Sequence, residues 1–293
     1  MGFLLVNIRS IRNPVNFAKL CLQLEESSPD IVVVTETWLD AATEDVNMPG
    51  YRSIGRRDRL GTKKGGGVDI FVRENFRDVG LLTKSETSER SWATLHTKVG
   101  PILIGAWYRP PQEHSDELQH LKKELELLQP GHVGTFIFCD ANVHRKRWLK
   151  YSDGNTSLGE KLKEICDGAG LQQIVHEPTR KENLLDLVLT TMADSSKINV
   201  LPSLTDHRPV LCETKLEVAD VTEVERTVWC FEKTEWQQLK EALAQEDWNP
   251  IGELGVDEAT EYFTERILSL AKRYSPKEHK ASQEHASMGH TGV

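Results

Sequence analysis

Thr135-Phe136-Ile137-Phe138-Cys139-Asp140-Ala141-Asn142 is the stretch on which the fold turns. Its first residues are β-branched or aromatic with no polar break, the pattern of a strand buried on both faces. The run then ends on charge, at Asp140, with an amide two residues later at Asn142. The same arrangement recurs along the chain. The apolar run Phe3–Ile8 carries Asn7 at its end, and Ile31–Val34 is followed at once by Thr35, Glu36 and Thr37. Asp206 and His207 sit just before the apolar segment Pro209–Thr214. Strand ends project their side chains into a common rim. Acids and amides gathered there form an oxygen-rich pocket of the kind that hard cations such as Mg²⁺ prefer.

Outward from these strands the pattern is strand-rich with few helices. Asn13-Pro14 reads as an N-cap with proline at the first helical position, opening a helix to about Ser27. Gly65–Gly67 forms a flexible loop into a strand over Val68–Val72. Trp92–Val99 and Ile102–Trp107 read as a hairpin turning at Gly100-Pro101. Asp116–Leu128 has helical periodicity, and Leu158–Ala169 reads as a helix closed by Gly170. Leu184–Leu189, Ile198–Leu201 and Pro209–Thr214 are the last strands. Hairpins without a strict βαβ alternation predict two packed sheets flanked by helices. There is no internal repeat.

Composition changes near Glu217. Two amphipathic helices are expected beyond it, about Glu232–Gln245 and Val256–Arg273, the second with Val256, Ala259, Phe263, Ile267 and Leu270 on one face. Ser275–Val293 is polar and His/Ser/Gly-rich and reads as a disordered tail. The expected organisation is a domain over 1–216, a helical acidic linker region over 217–274, and the tail from 275 to 293. The charge follows the same division. Residues 1–216 carry 28 Lys/Arg against 29 Asp/Glu, and the remaining residues 8 against 16, so the net charge of -9 belongs almost wholly to the C-terminal part and does not argue against a nucleic-acid partner. No apolar run approaches the roughly 20 residues of a membrane span, so no membrane partner is expected. The N-terminal apolar run is too short for a secretory signal, which gives an intracellular reading. Five cysteines without CxxC spacing fit reduced thiols rather than a disulfide framework or zinc site.

Taken singly, each polar residue has a bland reading. Glu36 is a loop carboxylate, Asn7 a turn cap, Asp140-Ala141-Asn142 an Asx-turn, and His207 a surface histidine. Asp186 is harder to dismiss, because it lies in Leu184-Leu185-Asp186-Leu187-Val188-Leu189. An aspartate within an apolar strand is costly to bury alone and needs a partner. A histidine is a natural one, since the pair orients the ring and raises its basicity.

Together the residues are far more specific. Asn7 in VNIRS, Glu36 in TETW, Tyr108 in WYRPP, Asp140 and Asn142 in FCDAN, Asp186 in LLDLVL, and Asp206-His207 in TDHRPV form an ordered series over about residues 3–216. This series resembles the endonuclease/exonuclease/phosphatase superfamily. Gly65-Gly66-Gly67, Tyr108-Arg109-Pro110-Pro111 and Glu177-Pro178-Thr179-Arg180 resemble more narrowly its LINE-type non-LTR retrotransposon endonucleases. The Trp229–Trp248 stretch is similar to the linker that precedes reverse transcriptase in such elements.

The resemblance implies a four-layer α/β/β/α sandwich of the deoxyribonuclease I type with a helical C-terminal appendage. It implies Mg²⁺-dependent nicking of DNA, with Mn²⁺ as an alternative ion. Glu36 would hold the metal with help from Asn7 and Asp206. Asp140 would position or deprotonate the attacking water, and Asn142 and Tyr108 would contact the phosphate. His207, oriented by Asp186, would supply charge or a proton. Thr179 would contact a phosphate or the backbone, and Arg109, His144, Arg145 and Arg147 would contact substrate or its surroundings. The partners implied are DNA and a reverse transcriptase domain absent from this chain, and the compartment is nuclear where the element is active. Cys139 and Thr205 depart from the usual Gly and Ser. Arg9 stands where apurinic endonucleases tend to carry an acid.

Two basic segments are candidate phosphate grips. One comprises Arg52, Arg56, Arg57, Arg59, Lys63 and Lys64, and the other Arg145, Lys146, Arg147 and Lys150 with Trp148. The bland alternative is solvated loops and a core tryptophan. Two further readings of the whole chain stand beside the nicking enzyme: an apurinic-type repair endonuclease or small-phosphodiester phosphatase on the same fold, and an inactive retrotransposon remnant or binding module.

Overall fold

A computed structural model describes residues 1–59, 61, 64–111, 116–218 and 221–285. From the N-terminus the chain runs through β1 (Gly2–Asn7), α1 (Pro14–Ser27), β2 (Ile31–Thr35), β3 (Tyr51–Ser53), β4 (Val68–Arg73), β5 (Val79–Lys84), β6 (Glu89–Thr97) and β7 (Gly100–Tyr108). It continues through α2 (Asp116–Leu128), β8 (Gly134–Asp140), α3 (Ser157–Gly168), β9 (Gln172–Gln173), β10 (Asp186–Thr190), β11 (Ser196–Val200) and β12 (Val210–Thr214). These strands form two six-stranded sheets. The first has the order β11-β12-β1-β2-β4-β3 and the second β5-β6-β7-β8-β10-β9. Near the centre of each lies one parallel pair, β1 with β2 and β7 with β8.

The continuous apolar runs are explained by cover on both faces. Phe3, Leu5, Ile31 and Val33 point between the sheets, where the Phe3 ring stacks on Phe136 (5.5 Å) and Phe138 (5.2 Å) of the second sheet. The alternate residues Leu4, Val6, Val32 and Val34 point outward and pack with Leu20 and Leu24 of α1. On the far side, Leu118, Leu121 and Leu125 of α2 and Leu162 and Ile165 of α3 join the core behind β7 and β8. The result is the expected α/β/β/α order of layers. Helix α1 begins as its sequence predicts, with the Asn13 side chain accepting from the backbone N–H of Val15 (3.0 Å) and Asn16 (3.2 Å) and Pro14 at the first position. The hairpin between β6 and β7 turns at Lys98-Val99 instead of Gly100-Pro101, since Thr97 pairs with Gly100.

A charged network is buried between α2 and the second sheet. Arg90 and Arg109 are both fully buried; Arg90 pairs with Glu124 (2.7 Å) and Glu117 (3.5 Å), and Arg109 with Glu117 (3.9 Å). The indoles of Trp107 and Trp92 donate to Glu117 and Glu124, each at 2.5 Å. A buried carboxylate needs such donors, because desolvation otherwise outweighs its attraction to a single cation.

Asp69 of β4 is a different case. It is buried without a cation at hydrogen-bonding distance, and both of its oxygens lie within reach of the Ser53 hydroxyl (2.8 and 2.9 Å). Burial pushes its carboxyl up to about 7. The folded protein therefore keeps this proton to about pH 7, while the unfolded chain releases it near pH 4. Folding takes up a proton across that window, so stability falls as pH rises through it. Asp69→Asn is expected to exceed the parent protein in stability by roughly 3 kcal/mol at pH 8, with no difference at pH 4. Urea unfolding at the two pH values measures this.

The chain divides into two units between Asp220 and Val221. The second unit contains β13 (Val221–Trp229), α4 (Trp236–Gln245), α5 (Val256–Tyr274) and β14 (Lys277–His285). Its two helices are the expected ones, and Trp248 packs on Phe263 at 5.5 Å. Its backbone differs from the expected helical linker and disordered tail. β13 and β14 pair antiparallel from Val221 opposite His285 to Trp229 opposite Lys277, so each strand supplies the other's backbone partners. Residues 286–293 of the expected tail lie outside the described residues. Among the described residues, no helix is long and apolar enough to cross a membrane.

Candidate active site

Strand direction brings the polar strand ends together. β1 and β2 run parallel with Asn7 opposite Thr35, and Glu36 is the next residue. β7 and β8 run parallel with Tyr108 opposite Asp140. β10 and β12 run the other way. Asp186 therefore starts its strand opposite Asp140, and Val210 pairs with Leu5, leaving His207 beyond the end of β1. Each parallel strand ends, and each antiparallel strand begins, at the same rim.

Short side-chain bonds link the two sheets there. The Asn7 amide nitrogen donates to Asp140 Oδ2 (2.8 Å) and Glu36 Oε1 (3.2 Å). The Trp38 indole donates to the other Glu36 oxygen at 3.0 Å. His207 Nδ1 meets Asp186 Oδ2 at 2.7 Å, with both side chains buried. The Thr205 hydroxyl donates to the Asn7 carbonyl (2.9 Å) and accepts from the His207 N–H (3.1 Å), which locks the β1 end to the histidine loop. Glu36 (φ 52°) and Asn142 (φ 45°) hold left-handed backbone conformations uncommon for residues other than glycine, and such outliers cluster at functional sites.

Glu36 is held there by its neighbours. Gly66 and Gly67 offer their carbonyls to the N–H groups of Trp38 (2.8 Å) and Thr37 (3.3 Å). Both glycines have positive φ, and a Cβ on either would run into the side chains of Glu89 and Arg59 or of Thr37. The triple-glycine loop therefore buttresses the segment carrying Glu36.

Electrostatically the rim is poised for acid–base work. Burial, then the neighbouring Asp186 carboxylate, pushes Asp140 up to about 8. Burial alone would lower His207, but the Asp186 carboxylate more than offsets it and brings the ring to about 9, so it is an imidazolium at neutral pH. Burial, then Glu36 and Asp140, raises the Tyr108 phenol, which stays a proton donor.

The residues fit a divalent cation. Asp140 Oδ1 and Asp186 Oδ1 are buried without a hydrogen-bond partner, and Asp140, Asp186 and His207 bring ligand-type atoms within 4.8 Å of one another. A protonated His207 cannot ligate, and Asp186 spends its other oxygen on it. The better seat is therefore the Glu36–Asp140 side, where Glu36 Oε1 and Oε2 and Asp140 Oδ2 accept from the neutral Asn7 amide and Trp38 indole.

Several expected contacts fall elsewhere. Asp206 lies outside that three-residue group, and its Oδ1 is likewise buried without a hydrogen-bond partner. Its Oδ2 accepts from Arg180 Nη2 (2.8 Å) and Nε (3.1 Å) and pairs with Arg9 at 3.3 Å. Arg109 is fully buried and cannot touch substrate; its Nη1 donates to the carbonyls of Ala141 (3.2 Å) and Asn142 (3.1 Å), while Asn142 Nδ2 donates back to the Arg109 carbonyl (2.9 Å). Thr179 is fully buried as well, and its hydroxyl accepts from the N–H groups of Leu185 (3.1 Å) and Asp186 (3.0 Å). It positions Asp186 and does not reach a phosphate. Arg145 pairs with Glu160 at 2.6 Å, Trp148 packs on the core, and His144 is half-buried with Nδ1 enclosed. Arg147 is exposed and remains open to a substrate.

The arginines of the first basic segment are engaged by the protein's own acids and carbonyls, although Arg52 itself is exposed. Arg56 pairs with Asp58 (2.9 Å) and Asp45 (3.0 Å), and Arg59 with Glu89 (2.6 Å). Arg57 donates to the carbonyls of Glu86 (2.9 Å) and Ser88 (3.3 Å), and Arg52 to that of Phe76 (3.0 Å). Lys64 is exposed, and Lys63 lies outside the described residues. Sequence reasoning missed the roles of Trp38 and Thr205. Trp38 was visible in the TETW motif, but the capping of His207 by a hydroxyl two residues earlier carries no distinctive pattern.

Comparison with known proteins agrees with this geometry. A family model described as endonuclease-reverse transcriptase matches residues 102–211. The RNA-directed DNA polymerase from mobile element jockey of Drosophila funebris is 23% identical over 277 residues, covering 88% of this chain and 29% of that protein. This chain thus spans about 29% of the length of that relative. The endonuclease domain of TRAS1, a telomere-specific non-LTR retrotransposon, superposes with a TM-score of 0.58 at 17% identity, over 73% of this chain and 98% of that one. The AP endonuclease LMAP from Leishmania major gives 0.60 at 13% identity, over 72% and 86%.

Proposed function

We propose that this chain, which resembles the endonuclease/exonuclease/phosphatase superfamily and more narrowly its LINE-type branch, nicks DNA by hydrolysing one phosphodiester bond with Mg²⁺. The observation that carries this reading is the buried bridge from Glu36 through Asn7 to Asp140, beside the Asp186–His207 pair. That arrangement supports a reading with an anionic cation seat, an acceptor for water and a cationic donor on one rim.

Glu36 and Asp140 would hold the cation, with the Asn7 amide fixing their spacing. When bound, the cation neutralises phosphate charge and makes water a better nucleophile. Asp140 would take a proton from the attacking water as the water oxygen bonds to phosphorus. The bond from phosphorus to the 3′-oxygen breaks, and the departing oxygen takes a proton from His207. The products are a 5′-phosphate and a 3′-hydroxyl. Asp186 keeps His207 charged until that transfer, and the Tyr108 phenol and Asn142 amide donate to the phosphate oxygens.

In its parent element the 3′-hydroxyl would prime a reverse transcriptase domain, with the acidic region beyond Glu217 leading toward it and the nucleus as the place of action. The test is conversion of supercoiled plasmid to open circles by the purified chain. Nicking in Mg²⁺ that EDTA abolishes, and that excess Mg²⁺ restores, is the expected result. A folded protein that leaves the plasmid supercoiled in both Mg²⁺ and Mn²⁺ would overturn the reading. The apurinic-type alternative is separated by a partly depurinated plasmid, which this chain should nick no faster than an intact one.

A further inference from the structure

Beside the catalytic rim lies a pocket of about 490 Å³, lined by Arg9, Asn16, Trp38, Thr205 and Asp206 among others. Its volume is in the range of small-ligand sites, roughly 300–1,000 Å³. The mechanism uses neither Trp38 nor Arg9 on the substrate. Trp38 is 40% exposed, unlike the buried tryptophans of the core. Its indole edge is pinned by the bond to Glu36, which leaves the ring surface to the pocket side of the cation seat. Its φ of 56° is one that bulky residues rarely adopt, and Arg9 (47°) and Ser10 (81°) share that conformation on the adjoining segment. The segments brace each other, with Ser10 N–H donating to the Glu36 carbonyl at 2.9 Å and Ile11 N–H to that of Thr37 at 3.1 Å.

Charge complements the aromatic surface. Arg9 and Arg180 converge on one oxygen of Asp206, so two guanidiniums share one carboxylate and keep a surplus positive charge. The Arg9 side chain is 55% exposed while one of its Nη atoms pairs with Asp206 at 3.3 Å, so the guanidinium is held at the pocket with part of it open to solvent. A flat ring beside a guanidinium is the pairing that a nucleotide meets, base on the ring and phosphate on the cation.

Resting on the DNA-nicking reading, we propose that Trp38 and Arg9 form a nucleotide subsite, which takes an unstacked base next to the scissile phosphate on the indole and the flanking phosphate on Arg9. Arg180 and Asp206 position Arg9. The subsite accounts for an exposed tryptophan held at some backbone cost within bonding distance of the cation-binding carboxylate.

The test measures binding of the full chain in EDTA to a fully paired duplex of about 20 base pairs and to the same duplex with one unpaired nucleotide, by fluorescence anisotropy from about 50 to 200 mM salt. The parent protein should bind the second about 10-fold more tightly, and Trp38→Ala should lose that gain with an unchanged salt slope. Trp38→Phe keeps a ring but not the bond to Glu36, and should retain the gain. Arg9→Ala should lower the salt slope by about 1, and Arg9→Lys should restore it. Equal binding of both duplexes by the parent, or equal losses in Trp38→Phe and Trp38→Ala, would overturn the stacking role. An unchanged slope in Arg9→Ala would overturn the clamp. Nicking of plasmid in Mg²⁺ by the same preparation keeps the two levels apart. If it nicks while the variants bind as the parent does, the subsite alone fails; if it does not nick while Trp38→Ala still loses the gain, the nicking reading alone fails.

Discussion

Replacing His207 by Gln is expected to slow plasmid nicking by about 10³-fold with the protein still folded. Alanine would leave the buried Asp186 carboxylate without its partner, and the loss of stability would confuse the result. Glutamine can still donate a hydrogen bond to Asp186 but carries neither a charge nor a proton for the leaving oxygen. Asp186→Asn makes the complementary change. Its amide oxygen can still accept from Nδ1, so the ring stays oriented, but the charge that holds the ring protonated is gone. In the parent protein the Asp186 carboxylate keeps His207 charged up to about pH 9 against the pull of burial. The nicking rate should therefore decline above that pH. In Asp186→Asn burial acts unopposed by that carboxylate, and the alkaline decline moves to lower pH. Stability follows the same proton. The raised histidine contributes fully below its ordinary value of 6.5 and loses its contribution as pH climbs through about 9. Asp186→Asn should be most destabilised near pH 6, with the gap closing toward pH 10. Single-turnover rates and urea midpoints across that range measure both. An unshifted alkaline limb would remove His207 from the chemistry.

These candidate positions were legible because they interrupt apolar strands, where a polar side chain has few bland explanations. Asp186 within LLDLVL is the clearest case, since its burial demanded a partner and His207 proved to be it. The layers were legible for a related reason: β1 and β2 are apolar on both faces and must be covered on both. Elements without such constraints were not. β5 is exposed along most of its length and shows no alternation, and β3 spans three residues. β13 and β14 lie in a polar stretch where the backbone of each is satisfied by a partner about fifty residues away, which no local pattern announces. Charged residues misled most. Arg56, Arg57 and Arg59 read as a phosphate grip because a sequence displays charges but hides the acids and carbonyls that fold against them. Asp206 read as a metal ligand; Arg9 and Arg180 hold one of its oxygens, while the other is buried without a hydrogen-bond partner.

Arg109 tests that lesson directly. Its place in WYRPP beside Tyr108 suggested a substrate contact, but its guanidinium is fully buried, between Glu117 of α2 and the carbonyls of Ala141 and Asn142. Arg109→Met fills similar space without charge, and is expected to lower stability by about 3–4 kcal/mol. Two effects combine. Glu117 stays buried with one cation fewer, leaving Arg90 at 3.5 Å and the Trp107 indole, and two carbonyls of the loop after Asp140 lose their donor. The loop is where Asn142 holds its left-handed backbone, so its release should also slow nicking at a saturating DNA concentration. A phosphate contact would behave in the opposite way. Removing it would leave the urea midpoint unchanged, weaken DNA binding and reduce the salt slope by about 1. Because the expected variant shifts the urea midpoint and keeps the salt slope, the two measurements on one protein separate an arginine that builds the site from one that grips the substrate.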